Sequence, residues 1–397
     1  MWEATLKEAE RGWLSGPFTA GQVAEEVGPL WTPSRRFGIV QGAKVRNIDD
    51  LSEFAVNQCY GPGEKLDLGG VDEVVSLAAA WMRTFGGASD QVRAELSTGL
   101  VLEGRKREEF RGKELQLSGR CLDLKAAYKQ LPLSPTDRNC AVIAVLDPQS
   151  DEVKYFISYV LPFGATGSVM AFNRAARALR EVLQRFFLIP VINYFDDFPH
   201  VDLGQMVVRT QVVMEEAMRT LGWGIAEEAK KRIPPARKFV VLGVVVDLSQ
   251  SNDGVVIVRN KEDRVQELEA TIEEMEAVQS FPAATAAKVY GRLNFAEAQC
   301  SGRWLAPLMG PVKQRALMSR SVKGVTSEIR KALKLSADLL RTAPPRRLEA
   351  VNNEMPCLIF TDGAYEGGTA SCGAVVLSPR TELPLAFGFN IPPCKDC

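Results

Sequence analysis

Apolar side chains recur at helical spacing over residues 71–85, 169–187, 205–221, 261–278, 283–298 and 323–341, which predicts a helix in each. In the second stretch Phe172, Ala176, Leu179, Leu183 and Phe186 fall on one face. Two shorter helices are expected near the start, one ending at Arg11 and one over residues 20–27, separated by Gly12, Gly16 and Pro17. Shorter apolar runs predict strands over 35–41 and 43–50 about Gly42, over 115–124, over 140–146 and 153–160 around the turn Asp147-Pro148-Gln149-Ser150, and over 238–247. A helical turn, residues 125–132, is stopped by Pro132, and residues 343–347 read as a linker. Helices and hairpins mix without strict β-α-β alternation, so the expected class is α+β, an antiparallel sheet with helices on one face.

One stretch stands apart: Val191-Ile192-Asn193-Tyr194-Phe195-Asp196-Asp197-Phe198-Pro199-His200. The apolar run 186–192 reads as the first arm of a hairpin and Phe198, Val201 and Leu203 as the second, with Asp196 and Asp197 at the turn. Acid pairs at turns ordinarily serve as solvated or capping residues, so the dipeptide alone carries little. A second pair, Asp49-Asp50, closes the strand 43–50 and reads as structural; His200, the single histidine, reads as a surface residue past the hairpin.

At 397 residues there is room for two or three domains, and 46% hydrophobic with 24% charged residues is the composition of a globular protein. No apolar run approaches the ~20 residues of a membrane span, and the opening Met1-Trp2-Glu3-Ala4-Thr5-Leu6-Lys7 is unlike a secretion signal, so an intracellular protein without membrane association is expected. Eight cysteines without a repeating spacing suit reduced thiols, and Cys394-Lys395-Asp396-Cys397 has no second pair to complete a metal site. A net charge of -1 excludes a uniformly basic nucleic-acid binder. Local basic clusters remain at Arg35, Arg36, Lys44 and Arg46, at 105–113, and at 230–238, each either a phosphate track or a solvated face.

The order of motifs resembles the reverse transcriptases of retroelements. Leu122-Asp123-Leu124-Lys125-Ala126-Ala127-Tyr128 resembles their first palm motif, Leu161-Pro162-Phe163-Gly164 with Gly167-Ser168 the second, and Tyr194-Phe195-Asp196-Asp197 the third. Lys230-Lys231 and residues 239–243 follow where later palm motifs lie, and Arg35-Arg36-Phe37 with Lys44-x-Arg46-x-Ile48-Asp49-Asp50 is most similar to LTR- or DIRS-like retrotransposons. The resemblance runs from about Trp31 to Val312. It implies a right-hand polymerase: a helical lead-in (1–30), fingers and palm (31–250), thumb-like helices (251–320), and a helix with linker (321–352).

By the same resemblance, Asp123, Asp196 and Asp197 are catalytic and, with the Leu124 carbonyl, hold two Mg²⁺ ions, which Mn²⁺ can replace. Hard divalent ions take carboxylate oxygens, and a pair of them can stabilise the attacking and leaving oxygens of nucleotidyl transfer together. Deoxynucleotide contacts are implied for Lys44, Arg46, Leu124, Tyr128, Phe163, Gly164 and Lys231. Tyr128 stands at the steric-gate position, Lys44 and Arg46 at the triphosphate, and Lys231 or Lys230 at the proton donor to pyrophosphate. Phe163 departs from the glutamine of retroviral enzymes and is retrotransposon-like. The implied partners are an RNA or DNA template with an annealed primer, and dNTPs.

Residues 357–364 and 373–377 resemble the first two strands of ribonuclease H, with Asp362 as its first metal carboxylate. Its later acids are missing from 353–397, so a truncated, inactive segment is expected. The expected function is RNA-directed DNA polymerase; the alternative is a decayed or co-opted copy that binds nucleic acid without catalysis. An RNA-dependent RNA polymerase sharing the palm is disfavoured by Tyr128 and by the ribonuclease H-like tail.

Overall fold

The computed structural model describes the chain apart from residues 42–43, 60–62, 67, 88, 97, 229–230, 302–303, 320, 352–356, 379–380, 382 and 392–397. Lys230 and the Cys394–Cys397 spacing therefore lie outside the described residues, as does the side chain of Lys44. The chain divides into two compact units, Met1–Ala350 and Val351–Cys397.

In the first unit the elements run α1 (Trp2–Glu10), β1 (Leu14–Phe18), α2 (Ala20–Val27), β2 (Pro33–Gln41), β3 (Lys44–Asp50), α3 (Val71–Phe85), β4 (Gln91–Glu95), β5 (Val101–Arg105) and β6 (Leu117–Asp123). They continue with β7 (Val142–Asp147), β8 (Glu152–Ser158), α4 (Thr166–Phe187), β9 (Asp197–Leu203), α5 (Val207–Thr220), β10 (Lys238–Val241), β11 (Val244–Asp247) and β12 (Val255–Asn260). Helices α6 (Glu262–Val278), α7 (Ala283–Ala296), α8 (Ala306–Leu317) and α9 (Ser327–Thr342) follow, then β13 (Arg346–Glu349). Sheet orders are β1-β8-β7-β2-β3 and β10-β11-β12-β13, with the pairs β4-β5 and β6-β9 apart. All pairings are antiparallel except β2 with β7. The fold is mixed α+β, and no helix among the described residues is long and apolar enough to cross a membrane.

The β6-β9 pair is covered on both faces, not on one. Leu117, Val201 and Leu203 join Val74, Val75 and Ala78 of α3 in one core, and the Trp81 indole N–H donates to the Val201 carbonyl at 3.0 Å. Leu122 and Phe198, which alternation places on the opposite face, join Phe172 and Leu179 of α4 and Met214 and Met218 of α5. Helices α6 to α9 bury a core of their own around Leu268, Phe281, Leu293 and Leu333.

Several expectations change. The run 238–247 is two strands, because Leu242 (φ 46°) and Gly243 (φ 77°) turn the chain over. Of the run 186–192, Phe186 and Phe187 complete α4 as the helical spacing predicts, both exposed, and Leu188 turns left-handed (φ 54°), so the first arm of the hairpin is reduced to bridges at Val191 and Tyr194. The presumed linker runs into β13, where Arg346 to Glu349 pair with Val258 to Val255. Arg36 is no solvated cation: it forks onto Asp49 at 2.7 and 3.0 Å and reaches Glu8 at 3.0 Å, nearly all buried. Burial works against the Arg36 charge, yet its two carboxylate partners hold its pKa above the ordinary value. His200 is fully buried, on the face of β9 that meets α5, beside Arg120, whose guanidinium pairs with Glu215 at 3.1 Å. Burial, with the charge of Arg120 added, depresses the His200 pKa to about 4.

In the second unit β14 (Leu358–Glu366), β15 (Thr369–Leu377) and β16 (Leu385–Ile391) form an antiparallel meander. Phe360, Phe387 and Phe389 are exposed on it.

Gly119 in the middle of β6 is required by close packing: a Cβ there would lie 2.4 Å from the Phe239 ring of β10 and 3.0 Å from the His200 carbonyl oxygen. Gly119→Ala is expected to lower unfolding stability by about 1–3 kcal/mol, as overpacked cores do. Urea denaturation followed by circular dichroism measures it; a loss below about 0.5 kcal/mol, the scatter of surface substitutions, would contradict the packing described.

Candidate active site

Register places the acids. In the β6-β9 ladder Leu117 faces Leu203 at one end and Asp123 faces Asp197 at the other, so two carboxylates meet where both strands finish. The turn beyond is closed by Tyr194 and Asp197, which exchange backbone hydrogen bonds of 2.8 and 3.0 Å, and the Leu124 N–H donates to the Asp196 carbonyl at 3.1 Å. Phe195 inside this turn has φ 49°, and Ala126 and Ala127 just after β6 have φ 55° and 22°. Non-glycine residues hold such angles only when their surroundings over-determine them, at a cost of order 1–3 kcal/mol each. Here the surroundings are visible: Leu124 bridges to Ile225, and the Gln130 amide clamps the Lys125 carbonyl at 2.6 Å and the Gly224 carbonyl at 3.0 Å.

The electrostatics of this corner are those of crowded negative charge. Burial first, then the charges of Asp196 and Asp123, push the Asp197 carboxyl up to about 6. Asp196 is raised as well, by burial and by Asp123. Cys121, two residues before Asp123, has its thiol pushed well up by burial and by Asp197, to which it is hydrogen bonded. Among the described residues the cation in contact is Lys231, whose ammonium lies 2.7 Å from Asp123 Oδ2. Burial opposes its charge, but Asp123 outweighs burial and raises its pKa. The other oxygen, Asp123 Oδ1, is buried without a hydrogen-bond partner among the described residues.

These features suit a hard divalent cation in donor type: three carboxylates, an orphaned oxygen and protons held against repulsion that a cation would relieve. They are not gathered as a finished cage, since no group of three His, Cys, Asp or Glu side chains among the described residues stands ready to hold a metal ion.

Around the acids, Tyr128 is 9% exposed, stacked on Phe172 at 4.7 Å between centroids and edge-on to Phe163 at 4.8 Å. Burial and the Asp196 charge raise its phenol to about 12, so it stays protonated. Phe163 is half exposed, and Gly164 after it has φ 93°, a left-handed conformation that glycine takes without strain. That loop is anchored by Asn57, whose side chain donates to the Gly164 carbonyl at 3.0 Å and accepts from the Thr166 N–H at 2.9 Å.

Asp123, Leu124, Tyr128, Phe163, Asp196, Asp197 and Lys231 thus come together in one place. Arg46 does not join them: it is exposed on β3, opposite Ile39, and no contact among the described residues ties it to the carboxylates. Asp362 lies in the second unit, exposed on β14, its Oδ1 accepting from the Gly363 N–H at 2.9 Å. Sequence reasoning missed Asn57, Gln130 and Cys121. Alternation along β6 was the available signal for Cys121, since positions 121 and 123 share a face; the other two act across 107 and 94 positions with no local signature.

No protein-family profile and no curated protein matches the chain. Among solved structures it is similar to a foamy viral protease-reverse transcriptase in complex with double-stranded DNA, at 12% identity and a TM-score of 0.55, over 100% of this chain and 66% of that one. It is also similar to the dRH version of that protein, again with double-stranded DNA, at 12% identity and a TM-score of 0.52, over 96% and 53%. The chain spans between half and two thirds of the length of those proteins, and its fold is reverse transcriptase-like.

The raised Asp197 pKa has a sign that can be checked. A carboxyl that binds its proton more tightly in the fold than its ordinary 3.8 contributes stability below that value, lost as the pH rises through about 6. Asp197→Asn is therefore expected to stabilise the metal-free protein by ~1–3 kcal/mol near pH 7.5 and by little near pH 4. Thermal unfolding in a chelating buffer at the two pH values measures it; equal effects at both would contradict the repulsion.

Proposed function

We propose that this chain is an RNA-directed DNA polymerase of a retroelement, of the LTR- or DIRS-like retrotransposon type, extending a primer on an RNA or DNA template with dNTPs. The observation that carries the reading is the meeting of Asp123 with Asp196 and Asp197 at the shared end of β6 and β9, beside Tyr128. The reverse transcriptase-like fold supports it, and so does the complex of the similar foamy viral protein with double-stranded DNA. In this reading β6, β9 and their helices are the palm, β2 and β3 belong to the fingers, and α6 to α9 form the thumb.

Asp123, Asp196 and Asp197, with the Leu124 carbonyl, would hold Mg²⁺. When bound, the ions stabilise the attacking 3'-oxygen and the leaving pyrophosphate oxygen. The chain's own residues do the rest. The Tyr128 ring, wedged by Phe163 and Phe172, presents a fixed wall that excludes a 2'-hydroxyl. Gly164 leaves room for nucleotide or template, held in place by Asn57. Lys231 holds a proton near the acids, released to the departing pyrophosphate. Arg46, and Lys44 with it, would reach the triphosphate once the fingers close. The second unit, with Asp362 on β14, is read as a ribonuclease H-like segment.

A second reading, a co-opted copy that binds nucleic acid without catalysis, is favoured by one feature: Lys231 already occupies Asp123 Oδ2. Primer extension on an RNA template with Mg²⁺ separates the two. The polymerase reading expects dNTP incorporation by wild type, a loss of at least about a thousandfold in Asp196→Asn, and ribonucleotide incorporation in Tyr128→Ala. No incorporation by wild type under any condition would leave the binding reading.

A further inference from the structure

A second site lies at the far end of the same strands. A cavity of about 490 Å³ opens where Leu117 faces Leu203, roughly 20 Å along the ladder from the carboxylates at ~3.3 Å per residue. Its apolar wall includes Phe85, at the end of α3, and Phe110; among the described residues its cations are Lys106 and Lys113 and its acid is Glu114. The volume falls within the ~300–1,000 Å³ of small-molecule sites.

Lys106 is what makes this cavity more than a surface cleft. The residue is 6% exposed, and among the described residues its ammonium donates to the Gly87 carbonyl at 3.2 Å. Among the described residues no carboxylate pairs with it, Glu114 included. An ammonium held at a cavity wall by one neutral partner among the described residues has donors left over, which an anion in the adjoining space would accept from. Lys113, exposed at the rim of the same cavity, adds a second positive charge. The aromatic side chains offer flat apolar surface to whatever carries the anion.

We propose that this cavity binds a small anion on an apolar body, a phosphate monoester or a carboxylate, with Lys106 and Lys113 on the anionic group and Phe85 and Phe110 against the body. The site is separate from the acids of the polymerase reading and does not depend on it.

Isothermal titration calorimetry of the whole chain with 1-naphthyl phosphate, 1-naphthoate and neutral 1-naphthol tests this. Binding of one or both anions, and weaker or no binding of naphthol, is the expected result, the stronger anion identifying the head group. Lys106→Met should weaken anion binding at least about tenfold and Lys113→Glu likewise, the rim variant guarding against a folding defect in the buried one. Asp196→Asn should leave the affinity unchanged. Binding of none of the three compounds, equal binding of naphthol, unchanged affinity in both lysine variants, or loss of binding in Asp196→Asn would each overturn the proposal.

Discussion

Three carboxylates confined to one corner repel one another, and the antiparallel ladder between Leu117–Asp123 and Asp197–Leu203 is what keeps them there. Its register decides which side chains share a face. The row ending in Asp123 and Asp197 passes back through Cys121, Gly119 and Leu117, and through Pro199, Val201 and Leu203, onto the core of α3. The opposite row carries Leu122 and Phe198 into the α4-α5 core, with Arg120 and His200 buried beside Glu215. A slip by one residue would exchange the rows, turning the acids toward the α4-α5 core and Arg120 and His200 toward the α3 core. The burial of both faces therefore specifies the place of the acids more strictly than the acids themselves could.

The corner is stabilised from outside because it is unfavourable within. Left-handed turns at Phe195 and at Ala126-Ala127 and the raised pKa of Asp197 each cost stability locally. Compensation comes from the Gln130 clamp, from the Trp81 bond to β9, and from Lys231 on Asp123. A site whose charges are held against their repulsion is prepared for a partner of opposite charge, and among the described residues the Lys231 ammonium serves as that partner.

Much of this was legible in the chain because local pattern and chemistry agreed. The helix at 71–85 matched its boundaries, and the strand ending in an acid at Asp123 emerged as β6, because period and punctuation pointed the same way. Asp196 and Asp197 were found by an adjacent pair between apolar runs, although the first run proved to be a helix end and a bridge. What escaped notice was non-local. Burial of His200 depends on α5 crossing beneath β9; the buried pairing of Arg36 depends on Asp49 and on Glu8, 28 positions away. The split of 238–247 turned on left-handed Leu242, a residue with no turn propensity of its own. Arg46 illustrates the converse: its motif was readable, but strand β3 leaves it exposed, with no tie to the acids among the described residues.

The central claim, that the corner at Asp123, Asp196 and Asp197 carries repulsion a divalent cation relieves, is tested most directly by thermal unfolding with and without Mg²⁺. Near pH 7.5, about 10 mM Mg²⁺ should raise the melting temperature of the wild-type chain by a few degrees and leave Asp196→Asn almost unmoved. A wild-type melting temperature indifferent to Mg²⁺, or an equal rise in both proteins, would contradict it.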